Sequence, residues 1–203
     1  MILTKLEMPL ASRHAACGLR DAQYLHSLIS GCFGTSRKAA ELLYRVRVAD
    51  STVTVYVYSS VPPTEVKKPL TISGQRDLAQ WLAEMTVGRV LGFDLLAAPS
   101  KKVVEPGMKN SKRKFLSAPE ERLRWLLRKA EQNGFELLSQ EEVGQTVSAV
   151  SHKQEKGGFM RFSACRFTGI LRITDAEAFQ NALCCGIGPE KAYGCGMLLI
   201  KLL

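Results

Sequence analysis

Residues 42–59, LLYRVRVADSTVTVYVYS, set the architecture. The runs 42–49 and 52–59 alternate, or nearly alternate, apolar and polar side chains, which is the period of a half-buried strand. Asp50 and Ser51 join them, so the stretch reads as a β-hairpin. Pro62 and Pro63 end it.

On the N-terminal side, ILTKLEM reads as a strand. It is followed by a helix over 19–32, where Leu25, Leu28, Ile29 and Cys32 fall at i, i+3, i+4 and i+7. On the C-terminal side, GQRDLAQWLAEM (74–85) predicts a second, shorter helix. The first half is therefore β-α-β-β-α.

The second half repeats that order. GRVLGFDLLAAPS (88–100) is strand-like and apolar. A basic loop follows, with six Lys or Arg and one Glu between Lys101 and Lys114. Ser117 and Glu120 have capping-box spacing and predict a helix with Leu123, Leu126, Leu127 and Ala130 on one face, closed by Asn133 and Gly134. FELLS (135–139) predicts a strand, and 146–151 with 159–173 an inserted hairpin around the basic turn HKQEKGG. Thr174 and Glu177 form a second capping-box pattern before a helix carrying Phe179, Ala182 and Leu183. A final strand, MLLIKLL, follows a glycine-rich loop.

These orders predict an α+β chain of two tandem ferredoxin-like domains, βαββαβ, the topology that RNA-recognition domains also use. The halves are 1–86 and 87–203. No Pro/Gly/Ser linker separates them, so they are expected to pack tightly.

The chain of 203 residues carries a net charge of +9, and 46% of it is hydrophobic. It can bury a core, and its charge favours polyanions, nucleic acid before anionic membrane surfaces. A solvated basic face is the plainer reading. No run approaches the roughly 20 apolar residues of a membrane span. The N-terminus has an acidic residue and a proline where a signal peptide needs an unbroken apolar run. A soluble, cytoplasmic protein is expected. The six cysteines form no C-x-x-C pair and His14, His26 and His152 are scattered, so a zinc site is not expected and reduced thiols are.

The loop GIGPEKAYGCG (186–196) places Gly186, Gly188, Gly194 and Gly196 in eleven positions. Such a loop makes tight turns, or lets backbone N–H groups approach phosphates without a Cβ in the way. Lys191 and Tyr193 add a cation and a hydroxyl or stacking face. The spacing is neither a P-loop nor a dinucleotide fingerprint, and no cofactor is expected.

The segment FTGILRITDAEAFQNALCCGIGPEKAYGCGMLLI resembles the C-terminal signature of the CRISPR repeat-processing endoribonucleases of the Cascade system, the CasE family. YLHSLISGCFG and WLLRKAEQNGFEL resemble that family as well, so the similarity spans almost the whole chain. The chain departs from it in DAQYLHSLIS, where the family more often has a proline and an arginine near the tyrosine.

The resemblance implies two ferredoxin-like domains that bind the hairpin of each CRISPR repeat and cut once, without metal, at the 3′ base of the stem. It implies that the protein then stays on its product as a Cascade subunit, and is a monomer or weak dimer in isolation. It makes His26 the proton carrier and Tyr24 its helper, with the glycine loop packed against them between the domains. His14 reads as a surface histidine. Two basic tracks suit the RNA stem: Lys153, Lys156 and Arg161 on the hairpin, and Lys101, Lys102, Lys109, Lys112, Arg113 and Lys114 on the loop. A passive RNA-binding protein, or a structural subunit that caps a cut end, are the other readings.

Overall fold

The computed structural model describes residues 1–104, 112–151 and 159–203. Strands β1 (Ile2–Pro9), β2 (Leu43–Ala49), β3 (Thr52–Ser59) and β4 (Thr71–Asp77) form one antiparallel sheet in the order β2-β3-β1-β4. Strands β5 (Val90–Ala97), β8 (Phe135–Ser151), β9 (Phe159–Ile173) and β10 (Leu198–Lys201) form a second, in the order β10-β5-β9-β8. Both orders follow from the same wiring, in which the hairpin partners lie on one side and the first strand pairs with the last. This is the ferredoxin-like arrangement, present twice.

The 42–59 hairpin forms as its alternation demands. Val46 pairs with Val55, and Asp50 turns the chain with φ 51°. Val53, Val55 and Val57 are fully buried on one face of β3. Against them pack Leu6 and Met8 of β1 and the inward faces of two helices, α1 (Arg13–Arg20) and α2 (Ala22–Ser30).

The single helix expected over 19–32 is thus two helices and a terminal 3₁₀ turn. Asp21 is the break. Its extended backbone ends α1 through its N–H to Cys17 O, while its Oδ1 accepts from Gln23 N at 2.9 Å and caps α2. The expected apolar face survives, because Leu25, Ile29 and Cys32 are buried.

The helix expected over 74–85 is split between the end of a strand and one short helix. Residues 71–77 pair with β1, and only Ala79–Ala83 (α3) is helical. Every β4 side chain is exposed, so no apolar alternation marks an edge that β1 templates through its backbone.

In the second half, the basic loop is a ribbon of β6 (Ser100–Val103) and β7 (Lys112–Phe115). Helix α4 (Pro119–Gln132) has Ala118 as N-cap, with no side-chain bond there and Pro119 in the first turn, so Ser117 does not cap it. Its buried face is Arg122, Trp125, Leu126 and Ala130, whereas Leu123 and Leu127 are exposed. The rotation has a cause: Arg122 grips Glu142 of β8 in a two-pronged ion pair, Nε–Oε2 and Nη2–Oε1 both 2.8 Å, and Nη1 donates to Leu116 O and Ser117 O.

The separate 135–139 strand and inserted hairpin are one long β8–β9 ribbon, with bulges near Ser139 and Gly144 that let the strand bend without ending. Helix α5 (Ala176–Cys185) buries Phe179, Ala182 and Leu183, but its cap is Asp175, whose Oδ1 accepts from Ala178 N at 3.0 Å, rather than Thr174.

The two sheets share an apolar seam of Leu43, Tyr58, Leu78 and Met197. Across it, Arg45 of β2 bonds Asp94 of β5 at 2.9 Å, and the Tyr44 hydroxyl donates to Ala192 O at 2.8 Å. Among the described residues, no helix is long and apolar enough to cross a membrane.

Candidate active site

The glycine loop leaves α5 and passes directly against the first sheet. Its four glycines have φ of +74°, +85°, +83° and +85°, a region that side chains disfavour. At three of them, Gly186, Gly188 and Gly196, space is also exhausted. A Cβ on Gly186 would lie 2.8 Å from Leu43 Cδ1, and one on Gly188 2.9 Å from Trp125 Cζ2.

The amides of Gly186 and Gly196 are committed to Ala182 O (2.8 Å) and Leu96 O (2.7 Å). The phosphate-cradling role expected of those two glycines therefore does not fit; they shape the loop. Gly194 lies beside the Tyr44 ring.

The loop carries Tyr193 to α2. The Tyr193 ring meets His26 edge-on, centroids 6.1 Å apart at 79°, and its other contact is a stack with Phe162 of β9 at 5.9 Å. Its hydroxyl donates to Gln23 Oε1 at 3.3 Å. Burial, then Glu190 and Asp21, raise the Tyr193 pKa, which keeps the phenol protonated at neutral pH. The Tyr193 ring thus contacts both His26 of α2 and Phe162 of β9. His26 also has Ser30 Oγ 3.4 Å from Nδ1.

Tyr24 points elsewhere. Two helical steps turn it about 200° from His26, and its hydroxyl lies 2.6 Å from His14 Nδ1 on α1. The surface histidine of the sequence reading is instead the partner of a candidate catalytic residue. Tyr24 also lines a cleft of about 650 Å³ with Arg13, Arg20, Asp21 and Arg161. Arg161, expected on RNA, thus faces the α1–α2 edge of the first half.

Asp21 ties these parts together. Its Oδ1 accepts from Ser151 N at 3.1 Å, fastening the start of α2 to the end of β8. Burial pushes its carboxyl up, but hydrogen bonds from Ser151, Gln23 and Tyr24 outweigh that and hold it below the usual range.

The basic ribbon divides by its pleat. Lys101 pairs with Lys114 and Lys102 with Arg113, so the two pairs face opposite sides. Lys101 is bound to Glu121 at 3.0 Å. Lys102 and Lys114 are exposed. Lys112 lies in β7, its side chain outside the described residues, as are Lys109, Lys153, Lys156 and His152. Lys191 opens into a cleft with Arg113, Gly186 and Gly188.

Sequence reasoning missed His14, Gln23, Phe162, Arg13 and Arg20. The one available signal was Ser12, whose Oγ accepts from Ala15 N and starts α1; that helix, once seen, carries His14 inward. Among the described residues, no three His, Cys, Asp or Glu side chains gather as metal ligands.

Two ferredoxin-like sheets joined at a seam, with a histidine on one side and an aromatic loop residue meeting it from the other, define a tandem ferredoxin-like protein with a site between its halves. The chain belongs to the CRISPR associated protein family, whose model matches residues 1–201.

It is 29% identical over 221 residues to CRISPR-associated endoribonuclease Cse3 of Thermus thermophilus, covering 98% of this chain and 99% of that one. A solved structure of CRISPR endoribonuclease Cse3 bound to a 19-nucleotide RNA superposes with a TM-score of 0.83 at 27% identity, covering 98% of this chain and 99% of the other. A chain of a CRISPR RNA-guided surveillance complex, in a pre-nicking state, does so at 0.78 and 27% over the full length of both.

Proposed function

We propose that this protein is an endoribonuclease that binds the hairpin of a CRISPR repeat and cuts at the 3′ base of its stem. The observation that carries the reading is His26 held edge-on by Tyr193 where the halves, 1–86 and 87–203, meet. A passive RNA binder needs no such oriented imidazole. The similarity in sequence and fold to an endoribonuclease, over nearly all of both chains, supports it.

The chemistry uses the RNA's own 2′-hydroxyl and no metal. The 2′-oxygen bonds to phosphorus as the P–O5′ bond breaks, giving a 2′,3′-cyclic phosphate and a 5′-hydroxyl. One proton leaves the 2′-oxygen and one arrives at O5′. Imidazole, titrating near pH 6.5, is suited to either transfer, and His26 performs one of them. Arg13, Arg20 and Arg161 line the Tyr24 cleft and supply positive charge for the phosphorane. With His14 Nδ1–H donating to its phenol oxygen, Tyr24 donates its own proton to a phosphate oxygen. The product stays bound, and the protein serves in the cytoplasm as a subunit of an RNA-guided complex.

The test is cleavage of the source's own repeat hairpin in EDTA, by wild type and His26→Ala, with a second substrate carrying one 2′-deoxy at the cut. One cut by wild type, with the variant and the deoxy substrate bound but whole, is the expected result. Tight binding by wild type without any cut would leave a passive binder.

A further inference from the structure

A second cleft, of about 480 Å³, lies against Gly186, Gly188 and Lys191 of the glycine loop. Ser100, Arg113, Arg128, Lys129 and Lys191 are among the residues that line it. Among the described residues, no carboxylate lines it. The cations come from three separate elements: β7, α4 and the loop.

Such a gathering costs energy as it stands. Burial lowers the pKa of Lys191; Cys185 opposes this, and Arg37 and Lys129 lower it further. Burial lowers Lys129 too, with Arg128 and Arg113 adding repulsion. Two donors nearby are left over: Ser100 Oγ, in the lining, and Arg37 Nε, of the residue that acts on Lys191, are both buried with no hydrogen-bond partner among the described residues.

One plainer cause is the C-terminus of α4, whose dipole attracts about half a positive charge. That accounts for Arg128 and Lys129 in the last turns. It does not bring Arg113 from the ribbon or Lys191 from the loop, and it does not account for Ser100.

We infer that this cleft is a phosphate site, and that its occupant is a backbone phosphate of the bound RNA. The inference rests on the endoribonuclease reading. The cleft reads backbone and not base, because the one ring in its lining, Trp125, is buried with its edge against Gly188. It joins the Lys102–Arg113 side of the ribbon, so a strand lying there reaches Lys191 without crossing an acidic side chain of the lining. Lys191 and Tyr193 belong to one short turn, so a phosphate seated on Lys191 fixes the loop residue that orients His26.

The test measures binding of the repeat hairpin to the full chain across a salt series, by fluorescence anisotropy. Arg128→Gln/Lys129→Gln should raise Kd about tenfold at moderate salt and flatten the slope of log K against log salt by roughly 1.4–1.8, the share of two contacts. Arg128→Gln alone, at an exposed position, should flatten it by roughly half as much, and serves should the double variant melt early. Lys67→Gln, on a distant exposed side chain, should leave both quantities unchanged.

Wild-type Kd and slope in both cleft variants would overturn the phosphate site. Inorganic pyrophosphate supplies the other arm. If it raises the melting temperature of wild type but not of the double variant, while RNA affinity is unaltered, the cleft serves a free phosphate compound and the RNA assignment falls. A wild-type protein that neither binds nor cuts the hairpin would instead sink the endoribonuclease reading itself.

Discussion

The Tyr24 hydroxyl and His14 Nδ1 are 2.6 Å apart, across the two helices that Asp21 separates. At that distance the pair is a single hydrogen-bonded unit, with Tyr24 donating when the nitrogen is unprotonated. Tyr24→Phe and His14→Ala should each lower the single-turnover cleavage rate by about tenfold, and the double variant should fall no further. Losses that multiply would show two residues acting independently.

Tyr193 separates ring from hydroxyl. Tyr193→Phe keeps the edge contact with His26 and the stack on Phe162, losing only the bond to Gln23. It should cut within about threefold of wild type. Tyr193→Ala removes the wall that orients His26 and should lose roughly a hundredfold in rate, an effect of misplacement. Equal damage by both would assign the work to the phenol proton.

Gly186→Ala tests the loop's packing in the absence of RNA. It imposes a Cβ at φ +74° and within 2.8 Å of Leu43. The expected cost is about 1–3 kcal/mol, read as a lower urea midpoint with little change in slope.

Glu142 supplies a pH signature. The hydrogen bond from Arg122 lowers its pKa despite burial. A carboxyl whose folded pKa is below its unfolded one contributes stability that is complete above about pH 4.3 and lost as pH falls through the folded value. Glu142→Gln should cost about 2–4 kcal/mol at pH 7, since it strands the buried Arg122 charge. It should also flatten the loss of stability between pH 5 and 3. An unchanged acid profile would show the pair to be inert.

Much of this was legible in the sequence because side-chain period and burial coincide. The β3 alternation at Val53, Val55 and Val57, the Leu25–Ile29–Cys32 face and the Phe179–Leu183 face are local patterns that the packing uses unchanged, whereas in β2 the seam buries Arg45 and leaves Val48 exposed. The family signature brought His26 and the loop together. What stayed hidden depends on partners distant in sequence. Strand β4 buries none of its side chains, so its pairing with β1 leaves no mark in composition. Arg122 looks like a surface residue until Glu142, 20 positions on, turns it inward. The capping boxes failed because Pro119 and Asp175 offered starts one or two residues later.

The seam carries an evolutionary consequence. A protein of two like-folded halves is ordinarily open to recombination, each half surviving with a new neighbour. Here Tyr44 of the first half holds the carbonyl of Ala192 in the second, and Leu43 fills the space that Gly186 leaves open. The loop that meets His26 is therefore moulded by the opposite half. Neither half can be exchanged for that of a diverged relative unless Leu43, Tyr44 and the loop travel together, and chimaeras joined between the halves will inherit a fold without inheriting that contact.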